Sequence, residues 1–279
     1  MRLSSKILKF ASIFCVAASA DTHRWAAGIT QQAFRQVMGR NPSPAEQQIV
    51  MAVSSLESGY GKGWGKGQST AGQGSHNWGA IQTTNKKDPQ FQHRDSSAQG
   101  SYVIGFKAYP DDVSGAADVV RYLFKSGRKQ RIPKPSSAFR ALGPDIPGPN
   151  RGDLVEQACQ EGDILAFSKA MWYTGYYEGT ATTFPERIKA HARGMQQKLS
   201  EISGALGETV WSIKSDNFLP VTNDSSILQK VQEMVGGASG LPVQKSLERS
   251  APVVPASTSP LAPASTSSED AFESSLWFQ

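Results

Sequence analysis

The chain has 279 residues, of which 38% are apolar and 19% charged, a length that fits one or two domains with a real core. Its mean hydropathy of −0.39 and short apolar runs exclude a multi-span membrane protein. A formal charge of +5 and a pI near 9.1 suit an anionic polymer without choosing one, and two cysteines exclude a disulfide scaffold or a four-cysteine zinc cluster.

Residues 1–20 have the build of a secretory signal: Arg2, Lys6 and Lys9, an apolar stretch from Phe10 to Ala18, then Ala18-Ser19-Ala20 before Asp21. Cleavage there would leave Cys159 as a lone buried thiol. Trp25, Ile29, Phe34, Val37 and Met38 predict an amphipathic helix. Ser43-Pro44-Ala45-Glu46 is a capping box that opens a second helix ending at Gly59. Phe91 to Asp95 and Tyr102 to Tyr109 predict a small hairpin. Asp111 or Asp112 caps a third helix with Ala116, Val119, Val120 and Leu123 on its core face, and Asp153 with Glu156 opens a fourth region. Thr183-Phe184-Pro185-Glu186 is another capping box, leading into Ile188, Ala192, Met195, Leu199 and Ile202. The expected fold class is α+β, mostly helical, a single domain over 21–208. From 209 to 279 the chain is rich in Pro, Ser, Ala and Thr, with Pro-Ala-Ser-Thr-Ser at 255–259 and 263–267, and is expected to be a flexible tail. Its tip, Ser275-Leu276-Trp277-Phe278-Gln279, offers a docking peptide for a protein partner, and Leu228 to Val235 a short helix.

On the second helix Ile49, Val53 and Glu57 stand at i, i+4 and i+8, so Glu57 continues a core-facing stripe into the last turn. The negative helix end and partial burial both disfavour an ionised carboxylate and raise its pKa. A carboxyl still protonated near neutral pH is what a general acid needs to protonate a glycosidic oxygen. The glycine-rich run after it, Gly59 to Gly67, lacks phosphate-loop spacing and leaves a helix, not a strand. It is expected to form a cleft wall, with Tyr60 and Trp64 offering flat faces to sugars.

Glu57-Ser58-Gly59-Tyr60-Gly61 followed by Asn77-Trp78-Gly79-Ala80-Ile81-Gln82 resembles the lysozyme-like superfamily of peptidoglycan-cleaving enzymes, most nearly bacterial glucosaminidases of the flagellar and autolysin type, then lytic transglycosylases. The resemblance covers about 50–180. It implies a lysozyme-like fold, with Glu57 as catalytic acid and Asn77, Gly79 and Gln82 lining the cleft. Met171-Trp172-Tyr173-Thr174-Gly175-Tyr176-Tyr177 stands where these enzymes carry a tyrosine that meets the acid, and Tyr173, Tyr176 and Tyr177 all remain candidates. A hydrolase of this kind needs a second carboxylate, absent from the transglycosylase route. Asp95, on the hairpin where the family places a second Glu, is the candidate; Asp111 and Asp112 read as caps and Glu178 is a further option.

The four histidines are scattered without a metal motif, and no Gly-x-Ser-x-Gly elbow occurs, so neither metal nor cofactor is expected. The expected partner is the peptidoglycan glycan strand, cut at β-1,4 bonds in the cell envelope, with no nucleic acid and no stable membrane span. The rival is a binding or assembly protein that keeps the fold without the chemistry.

Overall fold

The structure is a computed structural model that describes residues 5–61, 75–83, 85–97, 100–134, 142–177, 179 and 181–239. It is mostly helical with two small antiparallel hairpins, the α+β class expected. Helix α1 spans Ser5–Met38, so the expected cleavage point after Ala20 falls inside one continuous helix. No helix among the described residues is long and apolar enough to cross a membrane.

Helix α2, Pro44–Ser58, starts as its sequence dictates. The Ser43 side chain accepts from the Glu46 amide, and the Glu46 carboxylate accepts from the Ser43 amide at 2.7 Å while Arg40 holds it from outside. Gly59 ends it in the left-handed conformation that leaves glycine unstrained, closing on Ser54 and Ser55 carbonyls. Strands β1, Gln90–Ser97, and β2, Gly100–Lys107, pair in register from Gln90↔Lys107 to Ser97↔Gly100, which places the expected hairpin. Helix α3, Asp112–Phe124, is capped by Asp111 and buries Ala116, Val119, Val120 and Leu123.

A second hairpin, β3 (Lys129–Pro133) with β4 (Leu142–Asn150), carries no alternating pattern that could announce it. Helix α4, Arg151–Glu161, opens one turn earlier than Asp153 and Glu156 suggest: Asn150 is the cap, and Asp153 is the residue that reaches back to it. Helix α5, Ile164–Tyr173, comes directly after Asp163. Helix α6, Phe184–Leu206, has the Thr183–Glu186 capping box and ends at left-handed Gly207.

Helices α1, α2 and α5 pack on α6, α1 also packs on α3, and α4 on α5. Phe34, Ile49, Met51, Leu123, Phe167, Met171 and Trp172 fill the space between them with essentially no exposure. Each large side chain fully removed from water contributes about 1.5–3 kcal/mol.

Residues 209–239, the described part of the flexible tail expected over 209–279, pack on the helical domain. Trp211 is buried against Phe167, and its indole N–H donates to the Ala45 carbonyl at 3.2 Å. Ser212 and Ile164 bond through their backbones, and the Gln130 side chain bonds both backbone groups of Val221. Helix α7, Ser225–Ser239, contains the expected 228–235 segment and buries Val231. These apolar residues lie too far apart to stand out against the Pro, Ser, Ala and Thr that dominate the C-terminal stretch. The repeats and the terminal Trp277-Phe278 lie outside the described residues.

Candidate active site

Glu57 occupies the last turn of α2, one turn beyond fully buried Ile49 and Val53 on the same stripe. Part of its side chain meets water, yet protein crowds the carboxyl, and that burial pushes its pKa from 4.5 up to about 8. A carboxyl with that pKa holds its proton at neutral pH.

The end of α2 is tied to the turn at 76–82 by Ser58. Its hydroxyl donates to the Trp78 carbonyl at 2.8 Å and accepts from the Gly61 amide at 2.8 Å. The chain leaves at Gly61 and returns at His76 in contact: a Cβ at Gly61 would meet the His76 backbone at 3.1 Å. Tyr60, His76 and Ala80 all adopt positive φ, a strain of about 1–3 kcal/mol each that surrounding structure has to sustain. That support is visible from α3. Asp112 Oδ1 accepts from the Trp78 indole at 3.0 Å and lies 3.0 Å from His76 Nδ1. Gly115 is so near that a Cβ would collide with the His76 carbonyl at 1.7 Å.

Asn77 is fully buried, and its amide is wholly used within the protein. Nδ2 donates to the carbonyls of Ile81 (2.9 Å) and Lys107 (3.0 Å), and Oδ1 accepts from the Ile81 amide at 2.8 Å. It therefore does not reach into a cleft; it fastens the turn to β2. Thr83 and Lys107 extend that fastening through backbone bonds to Gly105 and Ile81. Gly79 is buried under Val119. Gln82, bridged to Phe106 through its backbone, keeps an exposed side chain, and of the three residues it is the one presented to solvent.

The expected aromatic wall is corrected at Tyr60. That ring is 3% exposed, its hydroxyl lies 2.6 Å from His23 Nδ1, and it packs edge-on to Trp25 and against Trp78. Its left-handed backbone turns it inward. Trp64 lies outside the described residues. Asp95 stands on β1 opposite Tyr102, its side chain also outside the described residues.

Among the three tyrosine candidates, Tyr173 and Tyr177 are core residues. The Tyr173 hydroxyl donates to the Phe218 carbonyl at 3.0 Å, and the Tyr177 hydroxyl to the Ser168 carbonyl at 3.0 Å while its ring stacks on His191 at 4.0 Å. Tyr176 differs: it keeps some exposure, and the Glu57 carboxylate is one of the charges that push its pKa up, after burial. Left-handed Gly175, in the turn after α5, stands between Tyr173 and the Tyr176-Tyr177 pair.

Two further residues complete this wall. Tyr122 on α3 packs on Tyr176 with centroids 5.6 Å apart. Beneath both lies Arg151, the first residue of α4, fully buried, its guanidinium 4.6 Å from the Tyr122 ring centre and 5.7 Å from that of Tyr176. Its Nε and Nη2 donate to the Thr174 hydroxyl (2.8 Å) and carbonyl (2.9 Å), and no carboxylate among the described residues pairs with it. In the sequence Arg151 looks like a surface residue at a helix start, and nothing in its spacing to Tyr122 or Tyr176 signals otherwise. Among the described residues no three His, Cys, Asp or Glu side chains gather as a metal site.

The chain is similar to several solved structures. One is the glycoside hydrolase domain of Salmonella typhimurium FlgJ, 16% identical over 68% of this chain and 91% of that one, with a TM-score of 0.40. Another is a peptidoglycan hydrolase from Sphingomonas sp. A1, 19% identical over 68% and 94%, TM-score 0.37. A third is the catalytic domain of the autolysin Auto from Listeria monocytogenes, 14% identical over 75% and 99%, TM-score 0.36. No family model and no curated protein matches the chain.

Proposed function

We propose that the protein is a peptidoglycan hydrolase of the cell envelope that cuts β-1,4 bonds of the glycan strand in the manner of a glucosaminidase, with Glu57 as general acid. The observation that carries this reading is a carboxyl at the end of α2 that burial keeps protonated up to about pH 8, beside a tyrosine whose hydroxyl feels its charge. Glu57 gives its proton to the glycosidic oxygen as the C1–O bond breaks. A water adds to C1 and passes its proton to a second carboxylate, for which Asp95 on the β1–β2 hairpin is the candidate. Tyr176 positions the acid, and exposed Gln82 contacts the sugar or its acyl group.

The test is Glu57→Gln, which preserves shape and removes the titrating proton. The folded variant is expected to lose clearing of purified cell-wall suspensions by at least about 10²-fold, the usual contribution of a general acid. Mass spectrometry of fragments released by the wild type is expected to find reducing ends that contain the added water. Undiminished clearing by the variant overturns the assignment of Glu57, and 1,6-anhydro ends overturn the role of Asp95.

A further inference from the structure

The positive charge of this protein is concentrated in one segment. Residues 119–144 contain seven Lys and Arg and no Asp or Glu, more than the net excess of five in the whole chain, so the remainder is net acidic. Arg121, Lys125, Arg128, Lys129, Arg131 and Lys134 fall among the described residues, running from the last turns of α3 across β3. Lys125, Arg128, Lys129 and Lys134 are exposed, and Arg121 keeps 49% of its side-chain surface.

Two of the neighbouring acids are engaged away from this edge. Asp118 is held at 2.8 Å by Lys107 and also takes the Tyr109 hydroxyl, leaving Arg121 at 3.8 Å. Asp153 accepts from the Asn150 amide at the start of α4. Asp145 stands across β4 from Arg131 and is the one carboxylate in register with the edge.

The edge also borders the candidate site. Arg128 lies over the outer side of the Tyr122 ring at 5.7 Å, and Tyr122 packs on Tyr176, the tyrosine coupled to Glu57. Arg131 reaches Gly175, where a Cβ would come within 2.4 Å of its Nη2. A polymer lying along Glu57 and Tyr176 would bring its substituents towards these cations.

We propose that this edge binds the carboxylates of the peptide stems borne by the glycan, so that the protein selects stem-bearing strand over naked glycan. The inference rests on the hydrolase reading above and names the form of substrate that site accepts. Cations spread singly along a loop and strand suit mobile single carboxylates, whereas a phosphate recruits donors converging on one point.

The experiment is cosedimentation of the full-length Glu57→Gln protein with acid-treated sacculi freed of phosphate polymers, before and after an amidase removes the stems. Two or three exposed ion pairs predict about five- to tenfold tighter retention of stem-bearing material. That preference should fade at about 0.5 M salt, where screening shortens to a few ångströms. The double variant R128E/K129E, and the milder K125Q/R128Q where reversal disturbs folding, should retain stem-bearing material no better than stripped material. Equal retention of both materials by the Glu57→Gln protein, or a charge variant of it that keeps the preference, overturns the stem proposal alone. Retention that depends on phosphate polymers overturns it in favour of phosphate recognition. Retention of neither material overturns both this proposal and the glycan reading.

Discussion

Because Glu57 keeps its proton in the folded protein up to about pH 8, while the unfolded chain releases it near 4.5, the site imposes a measurable slope on stability. Between those values the folded state binds one more proton than the unfolded state. Stability must therefore fall as pH rises from 4.5 towards 8, then level off. The slope for one proton is about 1.4 kcal/mol per pH unit, which over the whole window reaches roughly 5 kcal/mol. Water at the partly exposed side chain shares the charge and reduces this, so about 2–3 kcal/mol is the expected loss. Glu57→Gln removes the titration and keeps the shape. Urea unfolding of both proteins at about pH 5, 7 and 9 gives the test, with the variant gaining on the wild type by that amount as pH rises. His191, which burial lowers to about 3, slopes the other way below 6.5, but equally in both proteins, and cancels in the difference. A difference that stays constant from pH 5 to 9 would refute the account of how burial tunes Glu57.

Arg151→Met should destabilise the protein by about 2–3 kcal/mol in urea unfolding, because the buried Thr174 carbonyl loses a charged donor. Wall-clearing activity per folded molecule should fall as well, since Tyr176 loses its support, and Arg151→Lys should rescue it only in part because lysine lacks the planar fork. Trp211→Ala should cost about 3–5 kcal/mol in the same assay, as expected for a large core side chain. A cost near zero would return residues 209–239 to the status of a tail.

The elements that were legible in the sequence are those whose signals are local. Ser43 with Glu46 and Thr183 with Glu186 satisfy orphan amides within one turn, and the structure has both boxes. The Ile49, Val53, Glu57 stripe needs only helical periodicity to point the carboxylate at the core. The illegible elements depend on partners distant in the chain. The β3–β4 hairpin runs through Pro144, Pro147 and Pro149, which suppress any alternating pattern. Trp211 declares itself only through Phe167 and Ala45. Arg151 takes on meaning only once Tyr122 and Tyr176 lie above it.

The same distinction explains why residues near Glu57 in the sequence motif turn into the fold and away from solvent. Tyr60 stands three residues after Glu57 and Asn77 in the motif that follows, yet both face inward, because chain with positive φ at Tyr60, His76 and Ala80 has to be held from within. Asn77 does this with three hydrogen bonds, Ser58 with two, and Asp112 with the Trp78 indole from the opposite helix. An amide used three times inside the fold has no remaining donor to offer a sugar. Much of the motif that marks this site in the sequence thus builds the rigid turn held against the end of α2. On the proposed reading, Gln82, Tyr176 and the cationic edge are what remains to meet the substrate.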